Sequence, residues 1–313
     1  MKAKRTKTNT VVHEIGRAAR RLSTAKVGLG HGTANVIEEA AFLVGEAIGV
    51  APDLLPAMGD RPVSAATSKL IDSVVSQRIK TRKPASYLTK SAYIQGIKFY
   101  VDERVIVPRS FIGELLFADH IIGGAGFVPD ATKVKSVLDL CTGSGCLAIL
   151  AAKVMPNAHV DAVELSGDAI KVAGINVKRH RLTKRVKVRR GDLFKGLPKR
   201  RYDLIISNPP YVSPKSMKKL PAEYQREPKM ALAGGGADGL DIVARILNQA
   251  ALWLSPKGGL LCEVGSGRAA LERRFPKLPF LWLDTAESSG EVFWLSARDF
   301  QGLNRLSGAR RRG

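Results

Sequence analysis

Apolar side chains recur at helical spacing through about the first ninety residues of the chain. One stripe of small and branched apolar residues covers 36–48 and follows a possible capping residue, Thr33. A second stripe covers 70–79 and follows Thr67. Because residues three and four positions apart share one face of a helix, the two stripes predict amphipathic helices. They indicate a small helical domain.

The spacing of apolar residues changes from helical to alternating between residues 91 and 108. Ile97, Phe99 and Val101 alternate with polar or aromatic neighbours, and Val105 and Val107 continue the pattern. Alternation of this kind is typical of strands with one buried face. It predicts a β-hairpin that links the helical domain to the rest of the chain.

From residue 134 onward, apolar runs of strand length alternate with helical stretches. Seven runs have this character, at 134–140, 159–164, 186–190, 202–207, 259–264, 280–283 and 292–295. The stretches 146–154 and 168–180 are long enough to be crossover helices between parallel strands. The pattern predicts an α/β fold with a seven-stranded, mostly parallel, doubly wound sheet.

Composition and charge add information about partners. Hydrophobic residues make up 45% of the 313, and no apolar run approaches the roughly 18 residues that span a bilayer. Three cysteines cannot form a disulfide framework, which fits a reducing compartment, so we expect a cytoplasmic protein without a membrane segment. The formal net charge of +22 makes a polyanion, most plausibly nucleic acid, the expected neighbour.

The distribution of charge and periodicity divides the chain into five parts. A basic N-terminal arm, a helical recognition domain, the hairpin linker, the α/β domain and a basic C-terminal tail cover 1–27, 28–90, 91–108, 109–298 and 299–313. The tail ends in Arg310, Arg311 and Arg312. A further basic cluster covers 178–201 around the third strand of the sheet.

The candidate ligand site begins with a glycine-rich loop after the first strand of the sheet. The loop comprises Cys141, Thr142, Gly143, Ser144 and Gly145. Neither a six-residue dinucleotide motif nor a phosphate-loop lysine is present, so a phosphate ligand is not favoured. Asp139 suits a cationic amino group instead, Glu164 suits a ribose diol, and Asp192 suits an adenine amino group. Together the three acids indicate S-adenosylmethionine.

The candidate catalytic residues follow the fourth strand as Asn208, Pro209, Pro210 and Tyr211. Two prolines fix the backbone and leave carbonyl acceptors in rigid positions. Two acceptors hold both hydrogens of a planar –NH2 group, while Tyr211 packs on its flat face. Holding the nitrogen in this way directs its lone pair at an electrophilic methyl group, so orientation supplies most of the catalysis.

With these motifs the sequence resembles the class I S-adenosylmethionine methyltransferases, and among them the HemK-type protein-(glutamine N5) methyltransferases. The residues that sharpen the resemblance are Val105–Arg109, Gly113–Leu115, Leu220–Tyr224, Glu227–Pro228, Gly239–Asp241, Leu29–Thr33 and Glu263–Gly265. Several of these stretches are similar to the branch that modifies a ribosomal protein. The resemblance implies a glutamine of ribosomal protein three of the large subunit as substrate.

Carried over from that family, the roles are a methionine-binding loop at 141–145, a ribose ligand at Glu164, an adenine contact at Asp192 and Leu193, and contact with the substrate glutamine at 208–211. Three alternatives stay open: adenine-N6 methylation of nucleic acid, glutamine methylation of a release factor, and an assembly factor without turnover. The five histidines are scattered, so no metal site is expected. Contact of the basic arms with ribosomal RNA is a further hypothesis.

Overall fold

The computed structural model of the chain describes residues 9–118, 121, 126–128 and 130–300. These residues form two compact units. The helical unit comprises residues 9–103 together with the short segment 220–227, and the α/β unit comprises the remainder. The segment 220–227 therefore belongs to the helical unit, although it lies inside the α/β unit in sequence.

The helical unit contains four α-helices and one hairpin. The helices are α1 (Val11–Thr24), α2 (Val36–Ile48), α3 (Ala65–Thr81) and α4 (Ala85–Thr89), with 3-10 helices at Pro52–Met58 and Tyr224–Arg226. The antiparallel hairpin pairs β1 (Ala92–Ile94) with β2 (Ile97–Phe99). Leu22, Leu43 and Val75 are fully buried in the core of the helical unit. The hairpin predicted as a linker is thus a component of the helical unit.

Both predicted helices in this unit begin at different residues from those expected. The side chain of Asn35, not Thr33, accepts hydrogen bonds from the amides of Ile37 and Glu38 at 3.0 Å each. Glu38 accepts in return from the Asn35 side chain at 2.6 Å. This reciprocal cap satisfies more of the free amides of the first turn than a threonine two residues earlier could. The side chain of Ser64 caps α3 by accepting a hydrogen bond from the amide of Thr67.

Most of the predicted N-terminal arm is helix α1, packed into the core of the helical unit. Val11 and Leu22 have no exposed surface. The basic side chains Arg17 and Arg21 each lie 2.7 Å from Asp72 on α3. The many basic residues of α1 obscure its apolar face in the sequence. In the structure a neighbouring helix neutralises Arg17 and Arg21. Residues 1–8 and 301–313, which hold the rest of the basic ends, lie outside the described residues.

The α/β unit alternates helices with strands, as the sequence predicted. Its helices are α5 (Ile112–Leu115), α6 (Cys146–Val154), α7 (Gly167–Arg179), α8 (Pro214–Met217), α9 (Asp241–Trp253) and α10 (Arg268–Arg274), with 3-10 turns at Ala131–Lys133, Lys229–Ala231 and Gly265–Gly267. Its strands are β3 (Ser136–Leu140), β4 (His159–Glu164), β5 (Val186–Arg190), β6 (Tyr202–Ser207), β7 (Leu254–Glu263), β8 (Leu281–Asp284) and β9 (Ser289–Ser296).

The seven strands form one sheet in the order β5-β4-β3-β6-β7-β9-β8. The first five strands in this order are parallel, and β9 pairs antiparallel with both β7 and β8. This order confirms the predicted seven-stranded, mostly parallel fold. The chain order reverses between β3 and β6, so loops leaving these two strands diverge and open a crevice at their carboxyl ends.

No single helix within the described ranges has the length and apolar character needed to cross a membrane. The bent pair Val36–Ile48 and Pro52–Met58, which meets at 85°, passes that test of length and composition when taken together.

Candidate active site

The crevice between β3 and β6 is a cleft that opens to solvent. Seven of the residues predicted from the sequence line it: Cys141, Gly143, Glu164, Asp192, Leu193, Asn208 and Pro210. The other predicted residues do not line it. Asp139, Thr142, Ser144, Gly145 and Pro209 are buried, and Tyr211 is partly buried. The fold therefore brings residues from four strand ends onto one surface.

The glycine loop after β3 turns sharply through left-handed backbone conformations. Gly143 and Gly145 have φ values of +56° and +79°. A Cβ on Gly145 would lie 3.2 Å from that of Ala173 on α7, so a side chain there would push two helices apart. A Cβ on Gly143 would meet nothing within 4 Å. Gly143 thus leaves open space in the cleft, where a ligand can approach the backbone closely.

Glu164 ends strand β4 with its carboxylate held by two backbone amides. Oε2 accepts from Gly143 at 2.9 Å, and Oε1 accepts from Ser166 at 2.9 Å. Each carboxylate oxygen has a second lone pair, so the group can still accept hydrogen bonds from a ligand. The backbone fixes its orientation in advance, as a site for a diol requires.

Asp139 is fully buried and supports the glycine loop from within the protein. Its Oδ2 accepts hydrogen bonds from the Thr142 hydroxyl and from the amide of Ala148. Its Oδ1 has no hydrogen-bond partner among the described residues. Burial raises the pKa of Asp139 to about 7. The predicted contact with a cationic amino group stays a prediction, and the unpartnered Oδ1 is the atom that could make it.

Asp192 lines the cleft while paired with a residue that the sequence analysis missed. Its Oδ2 lies 2.7 Å from the guanidinium of Arg245 on α9, and both side chains are about half exposed. The second carboxylate oxygen is left for a ligand. Arg245 lies 53 residues away in sequence. Its helix has an ordinary amphipathic pattern, so nothing in the local sequence indicates that Arg245 belongs to the site.

The residues Asn208 to Tyr211 follow directly after β6 and are braced by a neighbouring segment. Val212 donates to the carbonyl of Leu232 at 2.9 Å and accepts from Gly234 at 3.2 Å. A Cβ on Gly234 would lie 2.7 Å from the carbonyl oxygen of Pro210, so only glycine fits against the prolines. The side-chain amide of Asn208 has no hydrogen bond to any described residue. It is therefore available to a substrate.

Tyr211 is held by a buried carboxylate on strand β7. Its hydroxyl donates to Oε1 of Glu263 at 3.0 Å, and Oε2 accepts from the Ser110 hydroxyl at 2.6 Å and from Phe111 at 3.0 Å. Burial raises the pKa of Glu263 to about 7. Burial, reinforced by Glu263, raises the pKa of Tyr211 well above its usual value. The phenol therefore stays protonated and serves to orient the ring, not to remove a proton.

Gly265 sets the space that the Tyr211 ring occupies. A Cβ at this position, where φ is +51°, would lie 2.6 Å from the ring. We expect Gly265→Ala to displace Tyr211 and to lower the rate of methyl transfer about tenfold or more, while cofactor affinity changes little. Single-turnover rates and equilibrium dialysis with the cofactor measure the two effects separately.

Gly196→Ala is the matched control for that substitution. Gly196 also has a positive φ, +83°, but a Cβ there would meet nothing within 4 Å. The control carries the same kind of backbone strain without the collision. Equal loss of transfer in both variants would show that strain, not displacement of Tyr211, causes the effect.

A second group of predicted residues meets inside the helical unit. Segment 220–227 lies against the loop 28–33, and the amide of Gly28 donates to Glu223 at 2.8 Å. The Tyr224 hydroxyl donates to the carbonyl of Gly30 at 3.2 Å. The ring centre of His31 lies 4.2 Å from that of Tyr224. Two motifs that are about 195 residues apart in sequence are thus one structural element.

The cleft residues fit S-adenosylmethionine. The missing side chain at Gly143 leaves room beside the loop, and Glu164 and Asp192 each retain a free acceptor for a nucleoside. Val163, Leu165 and Ile242 add apolar surface for a flat base. Among the described residues, no group of three or more His, Cys, Asp or Glu could hold a metal ion. This fold and site define a class I methyltransferase that uses S-adenosylmethionine.

The chain belongs to the family of ribosomal protein uL3 glutamine methyltransferases. A relative of that name from Bradyrhizobium diazoefficiens is 52% identical over 294 residues, covering 93% of this chain and 91% of the relative. Relatives of the same name from Burkholderia pseudomallei and Neisseria meningitidis serogroup B are 48% and 45% identical, covering 93% and 94% of this chain and 95% of each relative.

A family model and a solved structure are also similar to parts of the chain. Residues 127–245 match the family model described as Methyltransferase small domain. Among solved structures, the human methyltransferase 10 domain containing protein has a TM-score of 0.46 at 19% identity, over 64% of this chain and 89% of that chain. A likeness at this level says nothing about the substrate.

Proposed function

We propose that this chain methylates the side-chain nitrogen of a glutamine in ribosomal protein uL3. The structural observation that carries the proposal is the placement of Asn208 and Pro210 in the same cleft as Glu164 and the glycine loop. The substrate is supported by the shared name of relatives up to 52% identical. That name also favours uL3 over the two alternatives of a release factor and an adenine base.

The residues of the cleft would divide the work of binding between them. Glu164 would hold the ribose hydroxyls, Asp192 would border the adenine, and the loop around Gly143 would receive the methionine portion. When bound, S-adenosylmethionine supplies an electrophilic methyl group on a sulfonium. An acid at the end of the second strand of a parallel sheet holds a ribose in the same way in dinucleotide-binding folds.

Asn208 and Pro209 would hold the substrate amide. A primary carboxamide is a weak nucleophile because its nitrogen lone pair is delocalised into the carbonyl. The side-chain oxygen of Asn208 and the main-chain oxygen of Pro209 are two acceptors for its two N–H groups. Gripping both hydrogens weakens that delocalisation and fixes the direction of the lone pair. The contribution is orientation, for which the braced prolines and the Tyr211–Glu263 contact are suited.

The decisive experiment compares three substrates with the full-length protein. Purified chain and labelled cofactor are incubated with uL3, with a peptide-chain release factor, and with adenine-containing RNA. We expect one methyl group on a glutamine of uL3 and none on the others. Mass spectrometry of large-subunit proteins from cells with and without the gene checks the same modification in vivo. Label on RNA or the release factor, with uL3 unmodified, would refute the proposed substrate.

Ribosomal RNA is the proposed second partner, and the cytoplasm, where ribosomes assemble, is the proposed location. The net charge of +22 supports contact with RNA through the two basic ends. Because residues 9–27 belong to a folded unit, the relevant ends are 1–8 and 301–313. We expect deletion of both to weaken RNA binding and to flatten its salt dependence, measured by fluorescence anisotropy. Unchanged binding would exclude them as contacts.

A further inference from the structure

The stretch 178–201 concentrates positive charge on the α/β unit. It contains twelve lysines and arginines and a single acid, Asp192. This difference of eleven is half of the net charge of +22, carried by fewer than a tenth of the 313 residues. The stretch comprises the end of α7, the strand β5 and the loop that leads to β6. Strand β5 is the outermost strand on its side of the sheet.

Four of these cations have internal structural roles. Arg189 and Arg200 both pair with the buried carboxylate of Asp161 on β4. Arg185 donates to the carbonyl of Ala152 near the end of α6, and Arg201 donates to that of Leu254 at the start of β7. These contacts hold the basic loops against the sheet, so the stretch has a defined shape.

Seven other cations in the stretch are exposed and have no acidic partner within the described part of the chain. They are Lys178, Arg181, Lys184, Lys187, Arg190, Lys195 and Lys199. We call these seven side chains the β5 basic surface. Some exposed cations elsewhere in the chain pair with acids, as Lys171 does with Asp168 and Arg274 with Asp241. The seven of the β5 basic surface lie in one stretch whose single acid, Asp192, pairs with Arg245 instead. Mutual repulsion of seven unpaired cations is unfavourable unless a polyanion binds them.

Protection of the sheet edge explains only part of this charge. Lysines on edge strands prevent the pairing of free backbone groups with another chain. Of the seven cations only Lys187 and Arg190 lie on β5 itself. The other five lie on the flanking helix end and loops, where there is no strand edge to protect. Their position requires a different reason.

We propose that the β5 basic surface binds the phosphate backbone of RNA. Phe194, the one Phe, Tyr or Trp of the stretch, is buried, so the surface offers charge with little area for stacking bases. Contacts of this kind give affinity with little sequence preference and strong salt dependence. This proposal rests on the proposed function only where it identifies the RNA as that of the assembling large subunit. Bound there, the RNA would hold the enzyme at the particle that carries its substrate.

The test neutralises four cations of the surface in the full-length protein, as Arg181→Gln, Lys184→Gln, Lys187→Gln and Lys199→Gln together. Affinity for a labelled single-stranded RNA of mixed sequence and for a transcript of large-subunit ribosomal RNA is measured by anisotropy over a range of salt. We expect about a tenfold or greater loss at low salt for both RNAs. The slope of log affinity against log salt should fall by up to about 3, since each lost phosphate contact removes about 0.7.

The control removes the same charge at the opposite end of the sheet. Lys257, Arg273, Lys277 and Arg298 are also exposed and lie near β7, β8 and β9. Replacing all four with glutamine should change RNA affinity less than threefold. Equal losses in the two variants, or no loss in the first, would overturn the proposal. Methylation of free uL3 should be unaffected in both variants, so failure of the RNA test leaves the catalytic proposal standing.

Discussion

Asn208→Ala should lower the rate of methyl transfer roughly a hundred- to a thousandfold while cofactor affinity falls only a few-fold. The expected size of this fall in rate follows from the loss of one preorganised hydrogen-bonding group at the reacting centre. Asn208 lines the cleft, and its side-chain amide has no partner among the residues that the structure describes. Its removal therefore leaves no buried group unsatisfied, and the fold should survive. Single-turnover transfer to uL3 and calorimetric titration with the cofactor measure the two quantities.

Asn208→Asp separates the acceptor role from the rest of the side chain. An aspartate keeps oxygen acceptors in a similar position but has no N–H donors when ionised. If Asn208 acts by accepting a hydrogen bond from the substrate amide, the aspartate variant retains more activity than the alanine variant. Equal inactivity of the two would contradict the acceptor role. A loss of cofactor affinity as large as the loss of rate would assign Asn208 to binding instead.

The strands that build the site could be predicted from the sequence because the alternation of strands and helices is a local pattern that implies a parallel sheet. The bounds of β4, β5 and β6 are the same in the structure as in the sequence analysis. Strands β4 and β6 are largely buried apolar runs. Strand β5 lies at the edge of the sheet and is marked by Val186 and Val188 alone, since its other residues are basic. The residues at their carboxyl ends meet for the same reason, as the fold rule for parallel sheets requires.

Contacts between distant parts of the chain could not be predicted in this way. Glu263 lies 52 residues from Tyr211. Its contact with Tyr211 depends on the pairing of β6 with β7 and on the hydrogen bond from Ser110. The sequence predicts a basic arm where helix α1 lies, because Asp72, which neutralises Arg17 and Arg21, is 51 to 55 residues away. In each case the local pattern is ambiguous, and a tertiary partner decides which side chains are buried.

The segment 220–227 is the largest departure from the sequence-based division into domains. Arg78 on α3 has no exposed side-chain surface and lies between two carboxylates, 2.8 Å from Glu39 and 3.2 Å from Glu223. It also donates to the carbonyl of Gly28 at 2.7 Å. A fully buried guanidinium needs such partners to offset the cost of losing water. Arg78 thus attaches the segment to the helical unit.

Arg78→Met should destabilise the helical unit by about 3–5 kcal/mol, because it leaves Glu39 buried without its cation and leaves Glu223 with the partly exposed Arg82 alone. Methionine is apolar and long enough to fill much of the space, so the loss reflects charge more than a cavity. Urea denaturation of the full-length protein, with hydrogen exchange of peptides from the helical unit, gives the size and the place of the change. Arg21→Met is the matched control, since its pair with Asp72 is half exposed and should contribute at most about 1 kcal/mol.

The pH dependence of the defect provides a second measurement. Burial already raises the pKa of Glu39 above its usual value, against the opposing effect of Arg78. Without Arg78, Glu39 should bind a proton more readily in the folded than in the unfolded state, so the variant gains stability as pH falls. The difference between Arg78→Met and the wild type should therefore shrink from pH 7 towards pH 5. Adding Glu39→Gln and Glu223→Gln should recover much of the loss at pH 7, because no buried carboxylate then lacks a cation. If Arg78→Met costs no more than Arg21→Met, or the defect persists unchanged at low pH, the buried ion pairs do not hold the segment.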